Sequence, residues 1–316
     1  MNTLINKDDV PKFLSALMQR FEVIAPKKSK GMLLFEPIAD FKEIDFSQQT
    51  SYSAKKYFLP AKESIFSYKG TKIEVKLDSR PRIIIMHPCD ANAVLNLDRI
   101  FLDENLDPYY KARRDATLLF VFSCSQSYKN CFCTSVNSCE TVNYDLLFVD
   151  IGDKYVVSVG TSRAKELLST KLFTNIIREG ACEVKCKKKL NSTNQLGSFF
   201  LSKVWKSESK KCLFCNACII ACPSCFCFTM HDEPNLDLVS GERKRQWDYC
   251  YMHDHTKVAG GFVFRKERSK RFKHRIYHQL KYFKDKFGRQ LCVGCGRCID
   301  VCPAKIDMVE IVNSLK

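Results

Sequence analysis

Eight cysteines in two identical spacings carry most of the chemistry this sequence announces. Cys212-Leu-Phe-Cys215-Asn-Ala-Cys218-Ile-Ile-Ala-Cys222-Pro223 reads C-x2-C-x2-C-x3-C-P, and Cys292-Val-Gly-Cys295-Gly-Arg-Cys298-Ile-Asp-Val-Cys302-Pro303 repeats it eighty residues later. Three thiolates on a short arc grip one face of an iron–sulfur cube, and the fourth, one helical turn on, is aimed at a second cube. The spacing therefore predicts two [4Fe-4S] clusters with crossed ligation. Cys212, Cys215, Cys218 and Cys302 would hold the first, and Cys292, Cys295, Cys298 and Cys222 the second. Pro223 and Pro303 stop each short helix, because proline has no N–H for the next backbone bond. Zinc knuckles are the competing reading, but they pair two C-x2-4-C units rather than repeating three even spacings, a fourth cysteine and a proline.

A further group of thiols is delivered by a strand–helix–strand pattern. Arg82 to Met86 reads as a buried strand, His87-Pro88-Cys89-Asp90 follows, and Ala91 to Phe101 is helical with Asp90 available as N-cap. Thr117 to Phe122 is a second buried strand, followed by Cys124. Such a unit makes the two strands parallel, so both bring a cysteine to the carboxyl edge where open α/β sheets place their ligands. Cys131, Cys133 and Cys139 lie in the next loop. Cys89, Cys124, Cys131 and Cys133 are the expected ligands of a third iron–sulfur site; the bland alternative is that they are small buried hydrophobes. Cys133, Cys139, Cys182 and Cys186 imitate a sirohaem-coupled cluster pattern, a chance spacing among eighteen cysteines. Cys225, Cys227 and Cys250 are open between a further site, shielding of the clusters and plain packing.

The elements that must position these residues fall into two parts. With 316 residues, 45% of them apolar, the chain is long enough for two domains and a substantial core. The fold expected is α+β. An N-terminal α/β domain with a small mixed sheet (1–184) leads through a lysine- and asparagine-rich linker (185–205) to a helical, ferredoxin-like dicluster domain (206–316). Val10, Phe13, Leu14, Leu17, Met18 and Phe21 mark a core-facing helix over 8–21, capped by Asp8 or Asp9. Short, mostly antiparallel strands are expected between 30 and 80, at Met32 to Phe35, Tyr57 to Leu59 and Ile73 to Val75. Leu146 to Asp150 and Tyr155 to Val159 form a hairpin around Gly152-Asp153, and Ser162 to Leu168 a short helix. Phe272, Ile276, Leu280, Phe283 and Phe287 mark a helix that Gly288 ends.

Composition bounds the setting. Dense cysteines behind a polar start, without a signal peptide or a membrane-length apolar run, point to metal in a reducing and oxygen-poor cytoplasm. The formal charge of +16 invites a nucleic-acid reading, weakened because each cluster with its four thiolates carries roughly −2. Eleven of the basic residues lie between Arg265 and Arg289, opposed only by Glu267 and Asp285. Docking of an acidic redox partner and an ordinary solvated helix face are equal readings of that stripe. No dinucleotide fingerprint, P-loop or nucleophile elbow is present, and His87, His253 and His255 read as surface or capping residues. The chain moves electrons between partners that own the substrate chemistry.

Several segments, in order along nearly the whole chain, resemble the 4Fe-4S dicluster subunit of the anaerobic (dissimilatory) sulfite reductase. They are His87-Pro-Cys-Asp-Ala-Asn-Ala93, Asn130-Cys-Phe-Cys-Thr-Ser135, Gly241-Glu-Arg-Lys-Arg-Gln-Trp247, Ala259-Gly-Gly261 and Leu291-Cys-Val-Gly-Cys-Gly-Arg-Cys298. That family is similar to the beta subunit of cytoplasmic sulfhydrogenases. The resemblance implies a non-catalytic relay between a flavin-bearing, NADH-oxidising partner and a sirohaem subunit reducing sulfite to sulfide. The alternative is the equivalent subunit of a cytoplasmic nickel–iron hydrogenase. Neither nucleic acid nor a membrane span is expected.

Overall fold

The computed structural model describes residues 2–168, 171–176, 184–191 and 193–315. Twelve strands are described: β1 (Asn2–Asn6), β2 (Glu22–Ser29), β3 (Met32–Pro37), β4 (Lys62–Lys69), β5 (Lys72–Glu74), β6 (Arg82–Met86), β7 (Thr117–Phe122), β8 (Leu146–Asp150), β9 (Lys154–Val159), β10 (Thr174–Ile176), β11 (Phe228–Pro234) and β12 (Ser240–Trp247). Among the described residues they make an eight-stranded sheet, β10-β1-β9-β8-β7-β6-β2-β3, and a four-stranded one, β11-β12-β4-β5. The first is mixed as expected, but it is not small. Its middle strands β2, β6, β7 and β8 are parallel, and antiparallel strands close both flanks.

Every residue of β6 and β7 is buried, as strands covered on both faces require. Alternation sends Ile83, Ile85, Leu118 and Phe120 to one face, against Phe13, Leu14 and Leu17 of the helix Val10–Met18. Ile84, Met86, Leu119 and Val121 go to the other, against Ala91, Val94 and Leu97. Those three ride on the helix Pro88–Asp98, which continues as a π-helical turn over Arg99–Glu104. Here the expected cap is corrected. His87 takes the N-cap position, and Asp90 lies inside the first turn. The His87 ring is buried rather than on the surface, its Nδ1 2.9 Å from the Phe122 carbonyl.

Two other expectations change. Tyr57 to Leu59 is not a strand: Ser53 caps a 3-10 turn over Ala54–Tyr57 by accepting from the Lys55 N–H, and Phe58 and Leu59 follow it into the core. The C-terminal half, expected to be mainly helical, also supplies the hairpin β11–β12, whose second strand β12 pairs with β4. Its strands are polar, and charge holds them. Asp232 faces Arg243 in register with carboxylate–guanidinium distances of 2.7 and 2.8 Å. Lys244 reaches both Glu233 and Glu242, which stand opposite one another.

The helical run between the cysteine motifs is present as Arg268–Tyr277, a π turn His278–Tyr282 and Phe283–Phe287, ended by left-handed Gly288. Phe272, Ile276, Leu280 and Phe283 are buried. The stretch expected as a linker is tied down where it is described. The Leu190 N–H donates to the Ser135 hydroxyl at 3.0 Å, the Asn191 N–H to Asn313 at 2.8 Å, and Lys188 pairs with Asp307. Among the described residues no helix is long and apolar enough to cross a membrane.

Candidate metal centres

The two cysteine runs adopt one local backbone. In each, the residues two and four after the first cysteine are left-handed: Phe214 and Asn216 in the first (φ 57° and 65°), Gly294 and Gly296 in the second (φ 65° and 79°). Alternating handedness curls the three cysteines into an arc, and the short helices Ala217–Ile220 and Arg297–Asp300 follow. Each arc is fixed by its own backbone: the Phe214 N–H points at the Cys212 sulfur (3.3 Å), and the Gly294 N–H at the Cys292 sulfur (3.4 Å). The second run begins where the π turn leaves the Gln279 carbonyl to accept from the Cys292 N–H at 3.0 Å.

Glycine at 294 and 296 answers a second demand. A Cβ on Gly294 would stand 2.6 Å from the Cys133 backbone, and one on Gly296 2.5 Å from the Asn130 carbonyl carbon. The Phe132 N–H closes this contact on the Gly294 carbonyl at 2.7 Å. Gly294→Ala should therefore cost about 1–3 kcal/mol for overpacking on top of about 1–2 kcal/mol for the left-handed backbone. Asn216→Ala, whose left-handed backbone already carries a side chain, should cost much less. Thermal unfolding compares the two, and equal losses would contradict the close approach.

Cys212, Cys215, Cys218 and Cys302 line one cavity, walled mainly by Tyr251, Phe272, Ile276 and Met308, and Cys298 borders it from the second run. Cys292, Cys295 and Cys298 line a second with Cys222, closed by Phe132, Val293 and Gln279. The fourth cysteine of each run thus lies in the cavity of the other run. Burial pushes the thiols up, Cys295 to about 11 and Cys298 to about 12, while Arg297 and Arg275 respectively oppose it.

Arg275 lines both cavities. Its place in the sequence puts it in the basic stripe, but it is buried and donates to the Cys218 carbonyl at 3.1 Å. Its Nε has no hydrogen-bond partner, and among the described residues it forms no ion pair with a carboxylate. A buried guanidinium without a counter-charge is costly; anionic clusters would supply one. The donor set of at least four thiols per cavity and this unpaired cation together fit iron–sulfur clusters. Other stripe residues also turn inward: Arg268 donates to the Cys212 carbonyl, Arg271 to the Tyr251 carbonyl and Arg289 to Asn92.

The loop thiols regroup relative to expectation. The sulfurs of Cys131 and Cys133 lie 3.4 and 3.5 Å from that of Cys186, and the three form a buried group. Cys89 and Cys139 pack in the same cluster; Cys124 is half-buried, and its charge bears on Cys89 and Tyr128 of that group. Cys186 is not in the ligand set expected for this site; the signal that links it to Cys133, the Cys133, Cys139, Cys182 and Cys186 spacing, is the one set aside as chance. Cys182 lies outside the described residues. Cys225, Cys227 and Cys250 pack in the core beside the cavities.

Beside them Asp248 holds His255 at 2.6 Å. The Cys227 thiol and Asp248 raise that imidazole to about 9, so it is charged at neutral pH. Because the folded value lies above the ordinary one near 6.5, its stabilising contribution is complete below that value and is lost as pH rises through about 9. Imidazole chemical shifts followed against pH check this, and a midpoint near 6.5 would contradict it.

The two thiol-lined cavities place the C-terminal part in the dicluster class, and residues 211–306 match the family described as "4Fe-4S dicluster domain". Over 329 aligned residues, covering 99% of this chain and 97% of the relative, the sequence is 30% identical to sulfhydrogenase 2 subunit beta of Pyrococcus furiosus. The chain belongs to the sulfhydrogenase beta-subunit family, as an iron–sulfur electron-transfer subunit. Membership in the sulfite reductase dicluster-subunit family, expected from the motifs, is not what these matches show. No solved structure matches the chain.

Proposed function

We propose that this chain is the electron-relay subunit of a cytoplasmic sulfhydrogenase-type complex. Cys212, Cys215, Cys218 and Cys302 would hold one [4Fe-4S] cluster, and Cys222, Cys292, Cys295 and Cys298 the other. The observation that carries the reading is the pair of thiol-lined cavities sharing one buried, unpaired arginine. Bound there, the clusters supply one-electron transfer. The protein's own part is to space them, to exclude water with Phe132, Tyr251, Phe272 and Met308, and to set their potentials through Arg275. Cys215 is the exposed ligand, so the first cavity is the one that opens toward a partner.

The hydrogenase reading takes precedence because the likeness to a sulfhydrogenase beta subunit spans the full chain. Sulfite reduction is the second reading, favoured by the Gly241 to Trp247 and Ala259 to Gly261 segments, which lie outside the P-C-D, C-F-C and dicluster elements that the two families share. Anaerobic purification of the native complex decides between them. Nickel and a hydrogenase partner are expected to accompany this chain; sirohaem in their place would overturn the first reading in favour of the second. A flavin-bearing subunit is expected in either case.

A further inference from the structure

We propose that Cys131, Cys133 and Cys186 hold a third metal centre, a single tetrahedral thiophilic ion such as zinc or ferrous iron. The site lies outside the matched dicluster domain, and it goes beyond the two-cluster reading above. The geometry argues for one ion. Metal–sulfur bonds of about 2.3 Å at tetrahedral angles put neighbouring sulfurs about 3.8 Å apart. The observed separations of 3.4 and 3.5 Å lie close to that edge length. The eight motif cysteines supply an internal comparison. They stand around cavities, and among the described residues only the trio brings three ligand atoms within 4.8 Å of one another. The fold makes room for clusters in two places and closes the third to ion size.

The trio is also held from both sides. The loop bearing Cys131 and Cys133 is locked against the second cysteine run by the Phe132 N–H to Gly294 carbonyl bond. The segment bearing Cys186 is fixed by Leu190 on Ser135 and by Lys188 on Asp307. An ion there would staple these two segments beside the second cluster cavity. Each binding thiol would release its proton to solvent, leaving the metal's oxidation state unchanged. The fourth corner falls to Cys89 or Cys139, which pack in the same group.

Metal and labile sulfide are measured on the anaerobically purified full chain and on Cys186→Ser, with paramagnetic resonance of the reduced protein reporting the dicluster. The variant is expected to lose one equivalent of zinc or iron, no sulfide, and none of the dicluster signals. Metal content equal to that of the unaltered chain would overturn the site. Loss of several irons together with sulfide would overturn the single-ion assignment in favour of a third cluster. X-ray absorption at the zinc edge of the unaltered chain purified from zinc-supplemented medium, an edge to which the dicluster irons contribute nothing, gives a reading that does not depend on the variant folding. It should show a metal–sulfur shell without a metal–metal neighbour; a metal–metal distance from this site would overturn the proposal. Absence of dicluster signals from the unaltered chain would count against the two-cluster reading alone.

Discussion

Cys302→Ala should abolish the cluster whose other ligands lie some ninety residues earlier in the chain, and spare the one to which Cys292, Cys295 and Cys298, within about ten residues of it, contribute three ligands. The expectation rests on where the side chain goes. Cys302 follows the short helix Arg297–Asp300, and the chain carries it into the cavity of Cys212, Cys215 and Cys218. There the Ile306 N–H points at its sulfur at 3.3 Å. The reciprocal holds for Cys222, which lines the cavity of the second run. Four single variants make the test internally controlled. Cys302→Ala and Cys215→Ala should leave the same residual paramagnetic signal, and Cys222→Ala and Cys295→Ala the other. Each should lose about four irons, the content of one cubane. If Cys302→Ala paired instead with Cys295→Ala, ligation would be local and the crossing wrong.

Asp90→Ala should be the most destabilising substitution outside the cysteines. Arg297, the second of the two residues between Cys295 and Cys298, is fully buried. Its guanidinium grips Asp90 with two bonds of 2.8 Å and donates to the Thr50 carbonyl at 3.0 Å and hydroxyl at 2.7 Å. The pair pins the second cysteine run to the helix that carries Cys89. Removing the carboxylate leaves a buried cation without its counter-charge, which costs about 3–5 kcal/mol. A buried ion pair is itself only weakly stabilising against apolar replacements. The double variant Asp90→Ala/Arg297→Met should therefore recover much of the loss. Denaturant unfolding under anaerobic conditions measures both, and a single variant within about 0.5 kcal/mol of the parent, the range of ordinary surface changes, would remove the pair from this role.

Local pattern makes part of this structure legible in the sequence. The apolar runs of β6 and β7, the hairpin β8–β9 and the 268–287 helix stand where periodicity puts them. The cysteine runs are readable because their spacing is itself the ligand geometry. Features held by distant charge are not. The strands β11 and β12 carry almost no apolar alternation, and their cross-strand ion pairs become visible only once the register is known. Arg275 reads as one residue of a surface stripe, because a sequence does not say which way a basic side chain turns. Cys186 joins Cys131 and Cys133 through a long-range contact, and the one spacing that links it to Cys133 reads as chance among eighteen cysteines. One further signal does lie in the sequence: glycine at both left-handed positions of the second run, against Phe214 and Asn216 in the first, marks the run that another backbone touches.

Arg275 links the two cavities energetically as well as spatially. Its charge favours the thiolate form of Cys218 and Cys298. In the same way it favours an added electron on either cluster. Arg275→Met should lower both cluster potentials, and a redox titration followed by paramagnetic resonance reads the shift. Unchanged potentials would mean that the charge is screened from the clusters.

The most direct measurement of the central claim is the iron and labile sulfide content of the anaerobically purified chain, taken with its reduced paramagnetic spectrum. Two [4Fe-4S] clusters predict about eight irons and eight sulfides per chain in the dicluster, with signals from two neighbouring centres that broaden one another. About four irons, or zinc in place of iron and sulfide, would contradict it.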